Sequence, residues 1–292
     1  MAEMLPSTLQ SDTPPRRRSR RSSLATRVLR TIAITYVGFL ILWPLSLVFF
    51  NTFREGISPV FETFTDPLVI HALKLTAITA GWAILLNTLF GLSISILLVR
   101  HEFPGKRMLN ALIDLPLSVS PVVVGLALVL VFNERDGWFG APLADAGVQV
   151  LFATPGLVLA TTFVALPLVI REVVPVLQEI GTEQEQAAHS LGAGGAATFW
   201  RVTLPSIKWG LTYGIVLSLA RSIGEFGAVK VISGNQSGRT QTATLMVEQF
   251  YHNFDAEKAF AIAALLASVS IVLIVIVSFL RTRAERLTRG ES

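Results

Sequence analysis

Four long apolar runs without a charged side chain constrain this chain more than any other feature of its sequence. They cover residues 31–50, 75–99, 151–170 and 259–280. An α-helix of about 20 residues, rising about 1.5 Å per residue, crosses the ~30 Å hydrocarbon core of a bilayer. Each run therefore predicts a transmembrane helix. The composition agrees, because 52% of the 292 residues are hydrophobic and only 15% are charged, against about 25% charged in ordinary soluble domains.

Two further runs contain charges and are weaker predictions. Residues 109–132 hold one acid, Asp114, and residues 209–232 hold Arg221, Glu225 and Lys230. Counting both, we predict an all-α, polytopic membrane protein with six transmembrane helices. The first run is too long for the apolar region of a cleaved signal peptide, so we interpret it as a retained span.

The basic residues predict the orientation. Of the 24 Lys and Arg residues, 17 lie in the two terminal tails and in the loops after the second and fourth spans, all on one side of the membrane. Cytoplasmic loops carry the excess of Lys and Arg. We therefore expect both termini in the cytoplasm and a multi-pass location in a bacterial inner (plasma) membrane. The Arg-rich residues 14–23 are expected to contact anionic lipid rather than nucleic acid.

Several classes of function have no support in the residues. The chain has no cysteine for a disulfide or thiolate site, and its four histidines share no metal-ligand spacing. No Gly-x-Ser-x-Gly elbow and no P-loop occur. We expect a protein that is not an enzyme and that binds no cofactor or metal, so the energy for any transport comes from a partner or an ion gradient.

The cytoplasmic loop between the fourth and fifth spans carries helical sequence. Residues 183–191 are rich in helix formers with acids in the first turn, and Gly192 stands where a helix would end. A second short helix is expected over residues 196–202, ended by Leu204-Pro205. This surface suits docking to a partner, but two helices lying on the membrane surface would have the same composition.

The spacing within this loop resembles the EAA loop of ABC-importer permeases. Gln186-Ala187-Ala188, three residues, Gly192, nine residues and then Val202-x-Leu204-Pro205 reproduce it in full. At two positions the residue differs from the family pattern. Gln186 stands where the family usually has Glu, and the neighbouring Glu185 could supply the missing charge. Val202 stands where the family has Ile. The resemblance implies that a separate ATPase contacts this loop through the following coupling residues: Glu185, Gln186, Ala187, Ala188, Gly192, Val202, Leu204 and Pro205.

Other segments narrow the resemblance to the sulfate/thiosulfate permeases. They are Phe53-Arg54-Glu55-Gly56, Leu73-Lys74-Leu75-Thr76, Phe103-Pro104-Gly105-Lys106, residues 112–123, residues 199–205 and Gly224-Glu225-Phe226-Gly227-Ala228-Val229. The last of these is shared with molybdate permeases, so a molybdate/tungstate-type permease is the alternative. A secondary transporter driven by an ion gradient is less favoured, because we see no internal repeat.

This resemblance implies a type I ABC importer permease (MetI-like) architecture. Its expected partners are a second, CysT-like permease, two CysA-like ATPase subunits that use ATP and Mg, an extracytoplasmic sulfate-binding protein and membrane lipid. The expected organisation is a disordered basic tail at 1–27, the first span and outer loop at 28–70, the permease core at 71–281 with its coupling loop at 172–206, and a tail at 282–292.

Ionisable and hydroxyl residues within the spans are candidates for a translocation path. Arg221 and Glu225 lie four residues apart on one helical face, where they can pair. They could line a path for an anion, or they could hold helices together. Ser118 and Ser120 could line a cavity or serve close helix packing. Asp114, near the inner interface, is expected to cap a helix or to meet Arg107.

Overall fold

The computed structural model describes residues 24–288, with side chains described for all of these except 25 and 280–288. Within that range the chain forms thirteen α-helices and one π-helical turn, and no strand. The predicted all-α class is confirmed. The helices are α1 (Leu24–Thr52), α2 (Ser58–Thr65), α3 (Pro67–Arg100), α4 (Lys106–Ser118), α5 (Pro121–Phe132), α6 (Gly140–Asp145), α7 (Thr154–Ile180), α8 (Glu183–Ser190), α9 (Gly195–Thr198), the π-helical turn (Phe199–Thr203), α10 (Leu204–Ile223), α11 (Gly227–Ser233), α12 (Ala243–His252) and α13 (Ala256–Thr288).

Two compact units divide the chain, one up to Ser46 and one from Leu47 onward. The described part of the first unit is the beginning of α1, where Phe39 and Trp43 stack with ring centroids 5.6 Å apart. The second unit holds all the other helices. The predicted tail at 1–27 lies mostly outside the described residues, and the predicted boundaries at 70/71 and 281/282 stay predictions.

Within residues 24–288, four helices are long and apolar enough to cross a membrane, and they coincide with the four charge-free runs. They cover Thr26–Thr52, Pro67–Arg100, Thr154–Ile180 and Ala256–Phe279. The predicted span at 109–132 is not one straight helix. It is α4 followed by α5, with an angle of 114° between them, and it makes a fifth span only if the pair counts as one.

The weakest predicted span, 209–232, is also broken. It forms α10 and α11, separated at Gly224–Phe226. Hydropathy measures how apolar a segment is and carries no information on a local break. Proline explains the first break, because Pro121 has no N–H to continue a helix from α4 and disfavours helical geometry at Ser120.

The central packing joins α3, α7 and α10 through small residues and branched side chains. A Cβ added to Gly91 of α3 would lie 2.9 Å from the Val169 side chain of α7, and one on Gly210 of α10 would lie 2.7 Å from Val176. Such close approach of helices is typical of membrane proteins. Beneath them, Val173, Leu177 and Ile207 are fully buried in one apolar cluster.

The two broken segments pack against each other. An added Cβ on Gly125 of α5 would lie 2.7 Å from the carbonyl oxygen of Ala228 in α11, and one on Gly227 would lie 3.0 Å from Cβ of Pro121. The beginnings of α5 and α11 are therefore neighbours. Below them, Val124, Leu157 and Ile232 share a buried apolar cluster with α7.

Candidate coupling loop and intramembrane polar site

The loop after α7 begins with the helix that the sequence predicts. Helix α8 runs from Glu183 to Ser190, carries Glu183 and Glu185 in its first turn and buries none of its residues. Gly192 follows with a φ of +86°, a conformation that is cheap only for glycine. Its N–H donates to the carbonyl of His189 at 2.9 Å, and the N–H of Ala193 donates to the carbonyl of Ala188 at 3.0 Å. These bonds end α8 as expected.

The second half of the loop differs from the prediction. Helix α9 is a single turn, and a π-helical turn, Phe199–Thr203, continues directly into α10. Pro205 therefore lies in the first turn of the next helix rather than ending this one, as a proline at the start of a helix can. The N–H of Leu204 donates to the carbonyl of Phe199. Pro205 has no N–H to donate to the carbonyl of Arg201, so the proline was the signal in the sequence for an irregular turn here. Such π-helical turns often mark functional sites.

Arg100, the last residue of α3, binds the buried side of α8. Arg100 Nε lies 2.9 Å from Glu185 Oε2, with the two side chains only 11% and 18% exposed. The same guanidinium donates to the carbonyls of Leu177 at 3.2 Å and Gly181 at 2.7 Å. Glu185 Oε1 also accepts from the hydroxyl of Thr203 at 2.8 Å. One carboxylate thus connects α8 to the end of α3, the end of α7 and the π-helical turn.

The other side of α8 faces outward. Gln186 and Ala187 are exposed, and Gln186 Nε2 donates to Thr182 Oγ1 at 3.0 Å. Close by in the loop, Leu191 is 89% exposed and Trp200 is 66% exposed. Of the coupling residues predicted from the sequence, Glu185 therefore faces inward, whereas Gln186 and Ala187 lie on an exposed surface beside Leu191 and Trp200.

Two of the charged residues in the predicted span 209–232 form the pair that the sequence predicts. Arg221 Nη1 lies 2.7 Å from Glu225 Oε2, and the side chains are 37% and 2% exposed respectively. Glu225 has further structural contacts. Its Oε1 accepts from the N–H of Ala228 at 3.0 Å, in the first turn of α11, and its backbone carbonyl accepts from Thr244 Oγ1 at 2.8 Å. Glu225 thus caps α11 and joins α10, α11 and α12, whereas Arg221 keeps an exposed side.

The remaining path candidates lie at the break between α4 and α5. Ser118 and Ser120 are exposed, and Ser118 Oγ donates to the carbonyl of Asp114 at 3.2 Å. Because α5 and α11 begin side by side, both helix breaks contribute polar groups to one region of the chain. Asp114 was expected to cap a helix or to meet Arg107. The contact with Arg107 is not formed, and Asp114 Oδ1 instead lies 2.7 Å from Nη2 of Arg171 on α7.

A buried polar contact between α3 and α10 was missed by the sequence reasoning. Asn87 Nδ2 donates to Ser218 Oγ at 3.2 Å, and both residues are completely buried. An amide in an otherwise apolar span was the available signal, since polar side chains within membrane helices usually join neighbouring helices. Among the described residues, no group of three or more His, Asp or Glu side chains is placed to hold a metal ion.

Comparisons with known proteins agree with this geometry. Residues 87–290 match the family described as "Binding-protein-dependent transport system inner membrane component". The chain is 49% identical over 245 residues to the chloroplastic Sulfate permease 2 of Chlamydomonas reinhardtii, which covers 84% of this chain and 66% of that protein. It is 45% identical over 267 residues to the Sulfate transport system permease protein CysW of Synechococcus elongatus, covering 91% and 93% of the two chains.

A solved structure shares the fold. The chain superposes on a subunit of a bacterial ABC transporter involved in the import of the acidic polysaccharide alginate with a TM-score of 0.67, covering 90% of this chain and 96% of that one at 17% sequence identity. The expected type I ABC importer permease architecture is confirmed, as is the resemblance to sulfate permeases.

Proposed function

The chain belongs to the family of binding-protein-dependent transport system inner membrane components, and we propose that it is the permease subunit of an ATP-driven importer of sulfate or thiosulfate. Sulfate is proposed as the substrate because the chain is 45% identical to a sulfate permease over nearly the full length of both chains. The mechanism is proposed from the outward surface of α8, because Arg100 connects this helix to the ends of α3 and α7.

The partner ATPase would act on this chain through α8. Leu191 and Trp200 offer apolar side chains to a groove, and Gln186 and Ala187 leave room for close approach. Displacement of α8 would be transmitted by the Glu185–Arg100 pair to the ends of α3 and α7. ATP and Mg are used by the ATPase, since this chain has no nucleotide-binding motif of its own.

The path for the anion would run past the two helix breaks. Arg221 has the only guanidinium within the predicted spans, and with 37% of its side chain exposed it can face an anion while paired to Glu225. Ser118 and Ser120 add hydroxyls at the neighbouring break. Broken helices also occur in secondary transporters, but the family membership favours a binding-protein-dependent importer.

The assembly we propose contains a second, CysT-like permease, which completes the pore, and CysA-like ATPase subunits on the cytoplasmic side. An extracytoplasmic binding protein would deliver the anion, and the family description supports this partner. The location we propose is a bacterial inner membrane with both termini in the cytoplasm, supported by the basic residues on alternate loops.

Deleting the chain and measuring uptake of labelled sulfate and labelled molybdate separately tests the substrate. We expect sulfate uptake to disappear and to return with the wild-type chain, while molybdate uptake stays unchanged. If only molybdate uptake is lost, the proposed sulfate substrate is wrong and the chain is a permease of the molybdate/tungstate class, which shares the Gly224–Ala228 segment.

A further inference from the structure

A cavity of about 610 Å³ opens between the ends of α3, α4 and α7, outside both sites described above. Its volume lies within the range of roughly 300–1,000 Å³ typical of small-molecule sites. Four of its lining residues carry polar side chains with N–H groups: Lys106, Arg107, Asn110 and Gln178. Nothing in the coupling or transport mechanism uses these side chains.

The wall of the cavity carries one uncompensated positive charge. Lys106 Nζ lies 2.7 Å from Glu102 Oε1, so these two charges balance. Arg107 is exposed and forms no ion pair within the described part of the chain. The first turn of α4 lies at the same place, and Gly105 gives it no side-chain cap. The N–H of Lys106 donates to the carbonyl of Phe103 at 3.3 Å, whereas the backbone N–H groups of Arg107 and Met108 have no partner within the described part of the chain. Unpaired N–H groups at the start of a helix favour an anion.

The floor of the cavity is apolar. Leu98 is 6% exposed and packs in one cluster with Val174, Ile113 and Ile170, which belong to helices α7 and α4. The cavity thus joins a cationic wall to an apolar floor at the place where the charge-free run 75–99 ends. A free oxyanion would use the wall alone and leave the floor without a partner. A phospholipid headgroup with its glycerol and first methylenes would use both.

We propose that this cavity binds the headgroup of an anionic phospholipid from the cytoplasmic leaflet. The phosphate lies against Arg107, Lys106 and the first turn of α4, and the glycerol and upper acyl chains lie against Leu98 and Val174. Basic pockets between membrane helices on the cytoplasmic side suit such headgroups. The assignment of the leaflet rests on the proposed orientation, but the binding does not depend on the transported substrate.

The test measures phospholipid retained by the purified full-length chain in detergent, using native mass spectrometry after exchange against phosphatidylglycerol or phosphatidylcholine. We expect the wild type to retain phosphatidylglycerol and to release phosphatidylcholine. Removal of one basic residue near a membrane surface weakens such binding about fivefold. Arg107→Gln should therefore weaken retention about fivefold, and Lys106→Gln with Arg107→Gln about thirtyfold. Asn110→Trp, which fills the cavity without changing its charge, should also abolish retention.

Two control variants separate this site from general effects. Lys208→Gln removes an exposed positive charge from the start of α10, away from the cavity, and should retain the lipid as the wild type does. Arg107→Lys should recover most of the binding, which a misfolded variant would not. Equal retention in the wild type, the double variant and Asn110→Trp would overturn the proposal. Displacement of the lipid by millimolar inorganic phosphate or sulfate would also overturn it, because the ligand would then be a free oxyanion.

Discussion

At the scale of single residues, two carboxylates connect separate helices by the same chemistry. Glu185 pairs with Arg100 at 2.9 Å and accepts from Thr203, and Glu225 pairs with Arg221 at 2.7 Å and caps α11. Both acids are largely buried, so removing an arginine leaves a charge without compensation. Their arginines differ in exposure, at 11% for Arg100 and 37% for Arg221. We therefore expect Arg100 to act within the chain and Arg221 to act also on the anion.

Arg100→Gln should loosen α8 without preventing membrane insertion. The loss of a partly buried ion pair should cost about 2 kcal/mol, between the values for exposed and fully buried pairs. We expect faster limited proteolysis between residues 181 and 195 and a several-fold loss of ATP-driven uptake. The matched control is Glu183→Gln on the same helix, whose side chain is exposed. If Arg100→Gln behaves like this control, α8 is not held by Arg100.

A single and a double variant at Arg221 and Glu225 separate an effect on transport from an effect on stability. Arg221→Ala leaves Glu225 buried and unpaired, which should cost about 3 kcal/mol. Glu225→Gln keeps an oxygen for the N–H of Ala228, so adding it to Arg221→Ala should restore folded protein, measured by thermal unfolding in detergent. We expect this stable double variant to have lost sulfate uptake. Wild-type uptake by the double variant would show that Arg221 only holds helices.

At the scale of elements, the contact between α5 and α11 defines the region where the two helix breaks meet. The approach is closest at Gly125, where an added Cβ would lie 2.7 Å from the carbonyl oxygen of Ala228 and 2.9 Å from Cβ of Val231. A backbone atom cannot move aside as a side chain can. The contact therefore depends on glycine at this position.

Gly125→Val should separate α5 from α11. Overpacking of this kind costs roughly 1–3 kcal/mol, and we expect a lower unfolding temperature in detergent and lost uptake. Gly81→Val is the control, because an added Cβ on Gly81 has no neighbour within 4 Å. Adding Val231→Ala to Gly125→Val should not restore stability, since the backbone oxygen of Ala228 remains in place. Full restoration would contradict this account of the contact.

The sequence predicted the features that follow from hydropathy or from the type of a single residue. The four charge-free runs became long helices, and Gly192 ended α8 with a positive φ. The break at Ser120–Pro121, the π-helical turn before Pro205 and the pairing of Asp114 with Arg171 depend on which atoms meet in three dimensions. Hydropathy does not contain that information. The inward direction of Glu185 was equally hidden, because Arg100 lies 85 residues earlier in the chain.

At the scale of the whole molecule, the basic loops predict the orientation that the proposed mechanism requires. Arg100 at the end of α3 contacts Leu177 and Gly181 at the end of α7, so the loops after these two spans lie at one end of the second unit. The α8 surface that we propose for the ATPase lies in one of them. For ATP to drive import, this end must be cytoplasmic.

Topology reporters test this orientation. A reporter fused after Ser292 should give a cytoplasmic signal, and one inserted near Ser58 should give an external signal, because Lys and Arg are enriched on cytoplasmic loops. The opposite signal at either position would contradict the orientation and would place α8 out of reach of a cytoplasmic ATPase.

The most direct test of the central claim is whether the α8 loop is the element through which an ATPase drives this chain. Gly192→Asp places an L-residue at a φ of +86°, which costs about 1–2 kcal/mol and turns the outer surface of α8. Ala188→Glu adds a bulky charge beside that surface. Gly147→Asp is the matched control, since Gly147 also has a positive φ, of +76°, and open space around it, but lies in a predicted outer loop.

The measurement is retention of the ATPase in pull-downs from detergent extracts, made beside labelled sulfate uptake by the same cells. We expect Gly192→Asp and Ala188→Glu to keep near-normal membrane levels, to release the ATPase and to abolish uptake, while Gly147→Asp retains the ATPase. If both loop variants hold the ATPase and transport sulfate at the wild-type rate, the loop does not couple ATP to transport and the proposed mechanism is wrong.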